Sequence, residues 1–136
     1  MDRMDAVMAA IKQDMPHHLS LAYERIAQEI MRENAETFPP FDRLGKWWDR
    51  NEEIDITGIN KERNLIFCAE VKWTEKPVGT NILGELKAKA ERITWGNKKT
   101  ARRFALFSKK GFTREMLEAA GRDEVVLFRG TEKVST

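Results

Sequence analysis

Two neighbouring runs constrain this chain most: Glu53 to Ile59 (EIDITGI) and Leu65 to Trp73 (LIFCAEVKW). Each is rich in β-branched or aromatic residues, and the polar turn Asn60-Lys61-Glu62-Arg63 joins them, so they predict a β-hairpin. Asp55, Glu70 and Lys72 interrupt these strands with charge. An unpaired charge buried on a sheet costs several kcal/mol, so a partner or ligand must offset it. Alternation along the second strand puts Glu70, Lys72 and Cys68 on one face and Ala69, Val71 and Trp73 on the other. A four-residue loop, 60–63, makes paired positions sum to an odd number and brings Asp55 to the Glu70 face. A three-residue loop would turn it away.

The hairpin sits within a regular order of elements. Met4 to Lys12 reads as a short amphipathic helix, followed by a break at Pro16. From Ser20 to Asn34 the apolar residues Leu21, Tyr23, Ile26, Ala27, Ile30 and Met31 recur at helical spacing, with Ser20 as N-cap. Pro39-Pro40 opens a loop, and Lys46 to Asp49 is a first extended run. Beyond Pro77, Asn81 to Ile93 predicts a helix with Ile82, Leu83, Leu86, Ala90 and Ile93 on one face. Arg103 to Ser108 predicts a strand, Thr113 to Ala120 a helix capped by Thr113 and stopped by Gly121, and Val125 to Phe128 a last strand. The order α-β-β-β-α-β-α-β implies an α/β fold, a mixed sheet flanked by helices. Residues 1–19 form an N-terminal helical extension and 20–136 a single domain in this reading.

Composition narrows the class. The 136 residues suffice for one domain with its own core. The single cysteine, Cys68, excludes an internal disulfide framework and a multi-cysteine zinc site, and a reducing, cytoplasmic location is expected. No run approaches the roughly 20 apolar residues of a membrane span, and the N-terminus is a poor signal peptide, so no membrane partner is expected. The net charge of +2 conceals an asymmetry: residues 1–73 hold 10 Lys and Arg against 14 Asp and Glu, and residues 74–136 hold 14 against 8. An acidic pocket beside a basic surface fits that division, as do solvated helix faces.

Two converging carboxylates repel each other unless a cation lies between them, and oxygen donors suit Mg²⁺ or Mn²⁺. A lysine two residues from one of them is placed to hold a water beside that cation. These are the parts of metal-assisted phosphodiester hydrolysis. Spacing alone equally allows ordinary ion pairs, Glu70 with Lys72 or Asp55 with Arg63.

The helix carrying Tyr23-Glu24, the strand EIDITG, the strand AEVKW with its D…ExK arrangement, and the later ALFSKKGFT together resemble the PD-(D/E)XK nuclease superfamily. Within it, the chain is most similar to the restriction-endonuclease-like domain of unknown function at the C-terminus of archaeal-type ATPases. The likeness covers roughly Ser20 to Arg129. It implies a restriction-endonuclease-like sheet and a Mg²⁺- or Mn²⁺-dependent nuclease acting on nucleic acid, DNA foremost. Asp55 and Glu70 would be metal ligands with the Val71 carbonyl as a third, Lys72 would orient the attacking water, and Glu24 would be an outer carboxylate. Glu29 on the same helix and Glu53 are competing candidates for that outer place. Ile54 stands where the motif's name has proline. The resemblance further implies a P-loop ATPase as partner or missing domain, since no G-x-x-x-x-G-K-[ST] occurs here.

Other features carry weaker expectations. Lys87, Lys89, Arg92, Lys98, Lys99, Arg102 and Arg103 are candidate phosphate contacts, or else a solvated basic helix and loop. His17-His18 is read as a loop pair, and Cys68 as a small packing residue. Trp47 and Trp48, adjacent in a strand, must place one ring on each face, leaving one able to stack on a base. Cutting both strands of a duplex would call for two-fold pairing of sites in a homodimer. The rival to a nuclease is a non-catalytic module of the same fold that binds nucleic acid or docks onto an ATPase; an RNA-directed toxin or defence nuclease would share the chemistry.

Overall fold

The computed structural model describes residues 3, 4 and 16–136. Apart from Met4, the predicted helix from Met4 to Lys12 lies outside the described residues. The elements in order are α1 (Pro16–Glu33), β1 (Arg43–Asp49), β2 (Glu52–Asn60), β3 (Leu65–Lys72), α2 (Thr80–Ala90), β4 (Ala101–Ser108), α3 (Arg114–Asp123), β5 (Val126–Arg129) and β6 (Glu132–Lys133). They build one six-stranded sheet in the order β1-β2-β3-β4-β5-β6. β1, β2 and β3 form an antiparallel meander; α2 and α3 are the crossovers that make β3, β4 and β5 parallel. This is a restriction-endonuclease-like α/β architecture.

Each face of the sheet supports its own apolar layer. On one side α1 lays Tyr23, Ala27 and Met31 over Ile56, Phe67, Ala69, Ala105, Phe107 and Phe128. On the other, Leu83, Leu86 and Ala90 of α2 and Met116, Ala119 and Ala120 of α3 cover Ile54, Ile66, Cys68, Leu106 and Leu127. The near-continuous burial of β3 follows from this, because a strand covered on both faces has no wet side. The Tyr23 hydroxyl donates 2.8 Å to the Gly130 carbonyl, tying α1 to the β5–β6 turn, and burial raises the phenol's pKa.

Several boundaries differ from the sequence expectation. Among the described residues helix α1 already includes Pro16, so the proline does not break the chain ahead of the helix as expected. Ser20 is therefore inside the helix and caps nothing. His17 and His18, expected in a loop, lie in its exposed first turn. Helix α1 also runs across the boundary placed between residues 19 and 20. Gly121 does not stop α3; the helix continues to Asp123 and ends on Glu124, held left-handed at φ 58°. Thr113 caps α3 as expected, accepting 3.1 Å from the Met116 N–H. The two-residue β6 was not expected from the sequence, since its pairing is set by the turn at Gly130, where φ is 61°.

Gly58 is the one strand position where a side chain does not fit. A Cβ there would meet the Phe41 ring at 2.7 Å and Leu44 Cδ1 at 2.9 Å. Gly58→Ala is expected to destabilise the fold by roughly 1–3 kcal/mol, measured by urea unfolding. An unchanged midpoint would mean that the 38–44 loop does not pack against β2.

Candidate active site

The β2–β3 hairpin pairs Asn60 with Leu65, Ile59 with Ile66, and so on to Ile56 with Ala69. The connection is Lys61–Asn64, one residue later than expected, but partner numbers still sum to an odd value. One step further this register would set Asp55 opposite Glu70, but the ladder ends at Ile56 and Ala69, and the two residues meet through a hydrogen bond between their carboxyls. There β2 stops being regular. On its other edge, Gly45 pairs with Thr57 and Trp47 with Ile54, so Asp55 and Ile56 together face the single residue Lys46. This β-bulge lets Ile56 enter the α1-side core while Ile54 enters the opposite one. Asp55 sits at the kink, and its Oδ2 accepts from the Val71 N–H at 2.8 Å in place of a strand partner.

Around this kink the charged side chains of five elements meet. Lys46 of β1 reaches Glu24 of α1 at 3.1 Å and Glu53 of β2 at 3.7 Å. Lys89 of α2 donates to Glu70 Oε1 at 2.6 Å and to the Glu53 carbonyl at 2.9 Å. Glu70 is buried, 3% exposed, which makes it the one carboxylate among the described residues fully withdrawn from water. Lys72 lies on the Glu70 face of β3, beside Ser108 of β4, and among the described residues its amine forms no ion pair or hydrogen bond. It lines a cleft of about 500 Å³ with Thr74, Val78 and Gly79 at the start of α2.

The electrostatics follow from this crowding. Burial raises the Glu70 pKa most; the hydrogen bond and charge of Asp55 add to the rise, and Lys89 offsets only part of it, leaving a value of about 8. Glu24 is raised as well, first by burial, with Asp55 and Glu53 adding and Lys46 opposing. Burial works against the Lys46 ammonium, but Glu24, Glu53 and Asp55 hold its pKa above the ordinary value. The cluster is thus an excess of negative charge in need of protons or cations. Among the described residues, no group of three or more His, Cys, Asp and Glu side chains is arranged to hold a metal ion. Asp55 and Glu70 are hydrogen-bonded to each other, with Asp55 Oδ2 also accepting from the Val71 N–H and Glu70 Oε1 from Lys89; a hard cation that retains several waters suits these oxygens and would displace the proton that joins the two carboxyls.

The remaining predicted residues divide. Lys87 is paired with Asp123 at 2.9 Å, Arg92 with Asp49 and Glu52 at 3.0 and 2.7 Å, and Arg103 with Glu124 at 3.0 Å. Lys98 and Lys99 are exposed in the turn before β4, and Arg102 is exposed on that strand. The basic residues therefore do not form one surface; Lys89 points into the carboxylate cluster. Glu29 is on α1 beside Arg3 and away from the kink. Trp47 packs into the core while Trp48 is 67% exposed, and Cys68 is buried with its thiol pushed up to about 12, as fits a packing residue. The sequence reading missed Lys46 and the bulge. Ile54 and Ile56 suggested a regular strand, and only their burial on opposite faces reveals the extra residue.

A family model covers residues 1–93, more than half of the chain. The chain belongs to the DUF234 family. That family is described as "Archaea bacterial proteins of unknown function". A relative from Methanocaldococcus jannaschii, the uncharacterized protein MJECL04, is 35% identical over 68 residues, covering 48% of this chain and 16% of that protein. The DUF234 chain here thus spans under a fifth of that relative's length. Among solved structures it is similar to the MspJI restriction endonuclease in complex with a 27-mer oligonucleotide, with a TM-score of 0.54 and 17% identity, over 93% of this chain and 29% of that one. A repair endonuclease from Pyrococcus abyssi matches with a TM-score of 0.47 and 16% identity, over 82% and 47%. The first likeness establishes the restriction-endonuclease-like fold. No helix among the described residues is long and apolar enough to cross a membrane.

The Glu70 environment generates a pH test on metal-free protein. A carboxyl with a folded pKa near 8 and an ordinary value of 4.5 binds its proton more tightly when folded. Its contribution to stability is present below the ordinary value and is lost as pH rises through the folded one. In EDTA, the wild-type Tm should fall more steeply between about pH 5 and about pH 8 than that of Glu70→Gln. Parallel curves would show that Glu70 stays ionised across this range.

Proposed function

We propose that this chain is a metal-dependent nuclease of the PD-(D/E)XK type, hydrolysing phosphodiester bonds in DNA. The observation that carries the reading is the bulge at Asp55. It brings a strand carboxylate into hydrogen-bond contact with the buried Glu70, two residues before a lysine whose amine has no partner among the described residues. Burying such a pair is costly for folding, and a catalytic cation accounts for that cost.

The carboxyl oxygens of Asp55 and Glu70 and the Val71 carbonyl are the groups that would hold Mg²⁺ or Mn²⁺. A bound ion of this kind supplies Lewis acidity and lowers the pKa of a coordinated water. Lys72 would orient an attacking water toward phosphorus and balance charge as the P–O bond to the leaving oxygen breaks. Glu24, linked to Glu53 through Lys46, acts as an outer carboxylate on the α1 side. Lys98, Lys99 and Arg102 remain available for phosphate contacts beyond the site. The oligonucleotide held by the MspJI structure supports nucleic acid as the ligand class. An ATPase, whether in the same polypeptide or a separate one, fits the length of the Methanocaldococcus relative, and a two-fold dimer would deliver cuts to both strands.

The Lys89–Glu70 ion pair favours a second reading, in which the fold is retained as a module that binds nucleic acid or docks onto an ATPase. The two separate on turnover. With plasmid, linear, branched and single-stranded DNA, cleavage should require Mg²⁺ or Mn²⁺, stop in EDTA, and fall on the order of 100-fold or more in Asp55→Ala and Lys72→Ala. Folded wild-type and variant proteins that bind DNA equally and cut nothing would establish the binding module instead. A parallel series on RNA tests the choice of substrate.

A further inference from the structure

The site holds a positive charge of its own, at the place where the nuclease reading requires a metal. Lys89 Nζ lies 2.6 Å from Glu70 Oε1 and 2.9 Å from the Glu53 carbonyl oxygen, so two oxygens already surround it. Its side chain is 22% exposed and that of Glu70 only 4%, which leaves little water to screen the contact. We infer that the Lys89 ammonium is a tethered cation that occupies the position beside Glu70 Oε1 in the metal-free protein and withdraws from it when a divalent ion binds. The inference rests on the metal-site reading above and adds an exchange step to it.

Charge and space both support the exchange. A divalent ion on Glu70 would stand within one carboxylate width of the ammonium, in a poorly screened site, and like charges so placed repel strongly. Lys89 has somewhere to go. It lines an open cleft of about 470 Å³ with Asn51, Glu52, Glu85 and Arg92, and its four-carbon stem turns readily. Arg92, just beyond the end of α2, pairs with Asp49 and Glu52, which ties that end of the helix to β1 and β2.

Exchange predicts the sign of a binding effect. A competing cation reduces apparent metal affinity by the fraction of molecules it occupies, so removing it must tighten binding. Calorimetric titration of EDTA-treated protein with Mn²⁺ should show Lys89→Met and Lys89→Gln binding at least about threefold more tightly than wild type, with Lys89→Arg close to wild type. Lys46→Met removes an equal charge from the Glu24 and Glu53 side, and should give a smaller gain. Thermal unfolding in EDTA identifies the folded variants before titration, and the two neutral substitutions back each other up. Equal or weaker binding by both would overturn exchange and make Lys89 a group that positions Glu70, with the nuclease reading intact. An equal gain in Lys46→Met would overturn it too, by assigning the effect to net charge. Absence of saturable Mn²⁺ binding in every protein would remove the exchange and the metal site together.

Discussion

At Asp55 the second strand parts from the third, and the Asp55 carboxylate takes over the Val71 N–H that a regular ladder would have paired. A strand N–H inside a covered sheet must find an acceptor, so this bond is what allows the bulge to exist there. Much else depends on it. The extra residue sends Ile54 and Ile56 into opposite cores, which locks the bend from both sides. It also brings Lys46 across to Glu24 and Glu53, and leaves the end of the hairpin open toward α2.

The chemistry of the site is a balance of charge in a place with little water. Four carboxylates, Glu24, Glu53, Asp55 and Glu70, are matched by two amines from strands and helices that approach on different sides. Helix α1 supplies one carboxylate, and α2 supplies the amine that reaches Glu70. The helices that cover the sheet for hydrophobic reasons thereby also set the electrostatics. Lys72, by contrast, has no partner to neutralise among the described residues, which is what a group that must meet water or phosphate requires.

The order of strands and helices was legible because local signals agreed: a polar four-residue turn, helical spacing on either side, and Thr113 before an amphipathic run. The parity of Asp55 and Glu70 could likewise be read, since an even loop fixes it. The inclusion of Pro16 in α1, the failure of Gly121 to end α3, and the strand β6 were not legible. Each depends on what lies across the fold: the α1 seat on the sheet, the left-handed Glu124, and the turn at Gly130. The basic stretch from Lys87 to Arg103 looked continuous in sequence, yet partners on α3, β1 and β2 divide it.

By itself the sequence determined the α/β class, the hairpin and its parity, and the placing of Glu70 and Lys72 on one face of β3. These follow from periodicity and loop length, which act over a few residues. Only the tertiary structure decided that Asp55 lies on a bulge, that Trp47 rather than Trp48 is core, and that Lys89 pairs with Glu70. Those outcomes depend on which oxygen, ring or amine the folded chain brings within a few ångströms. Residues 19 positions apart, such as Glu70 and Lys89, carry no local signal of such a meeting.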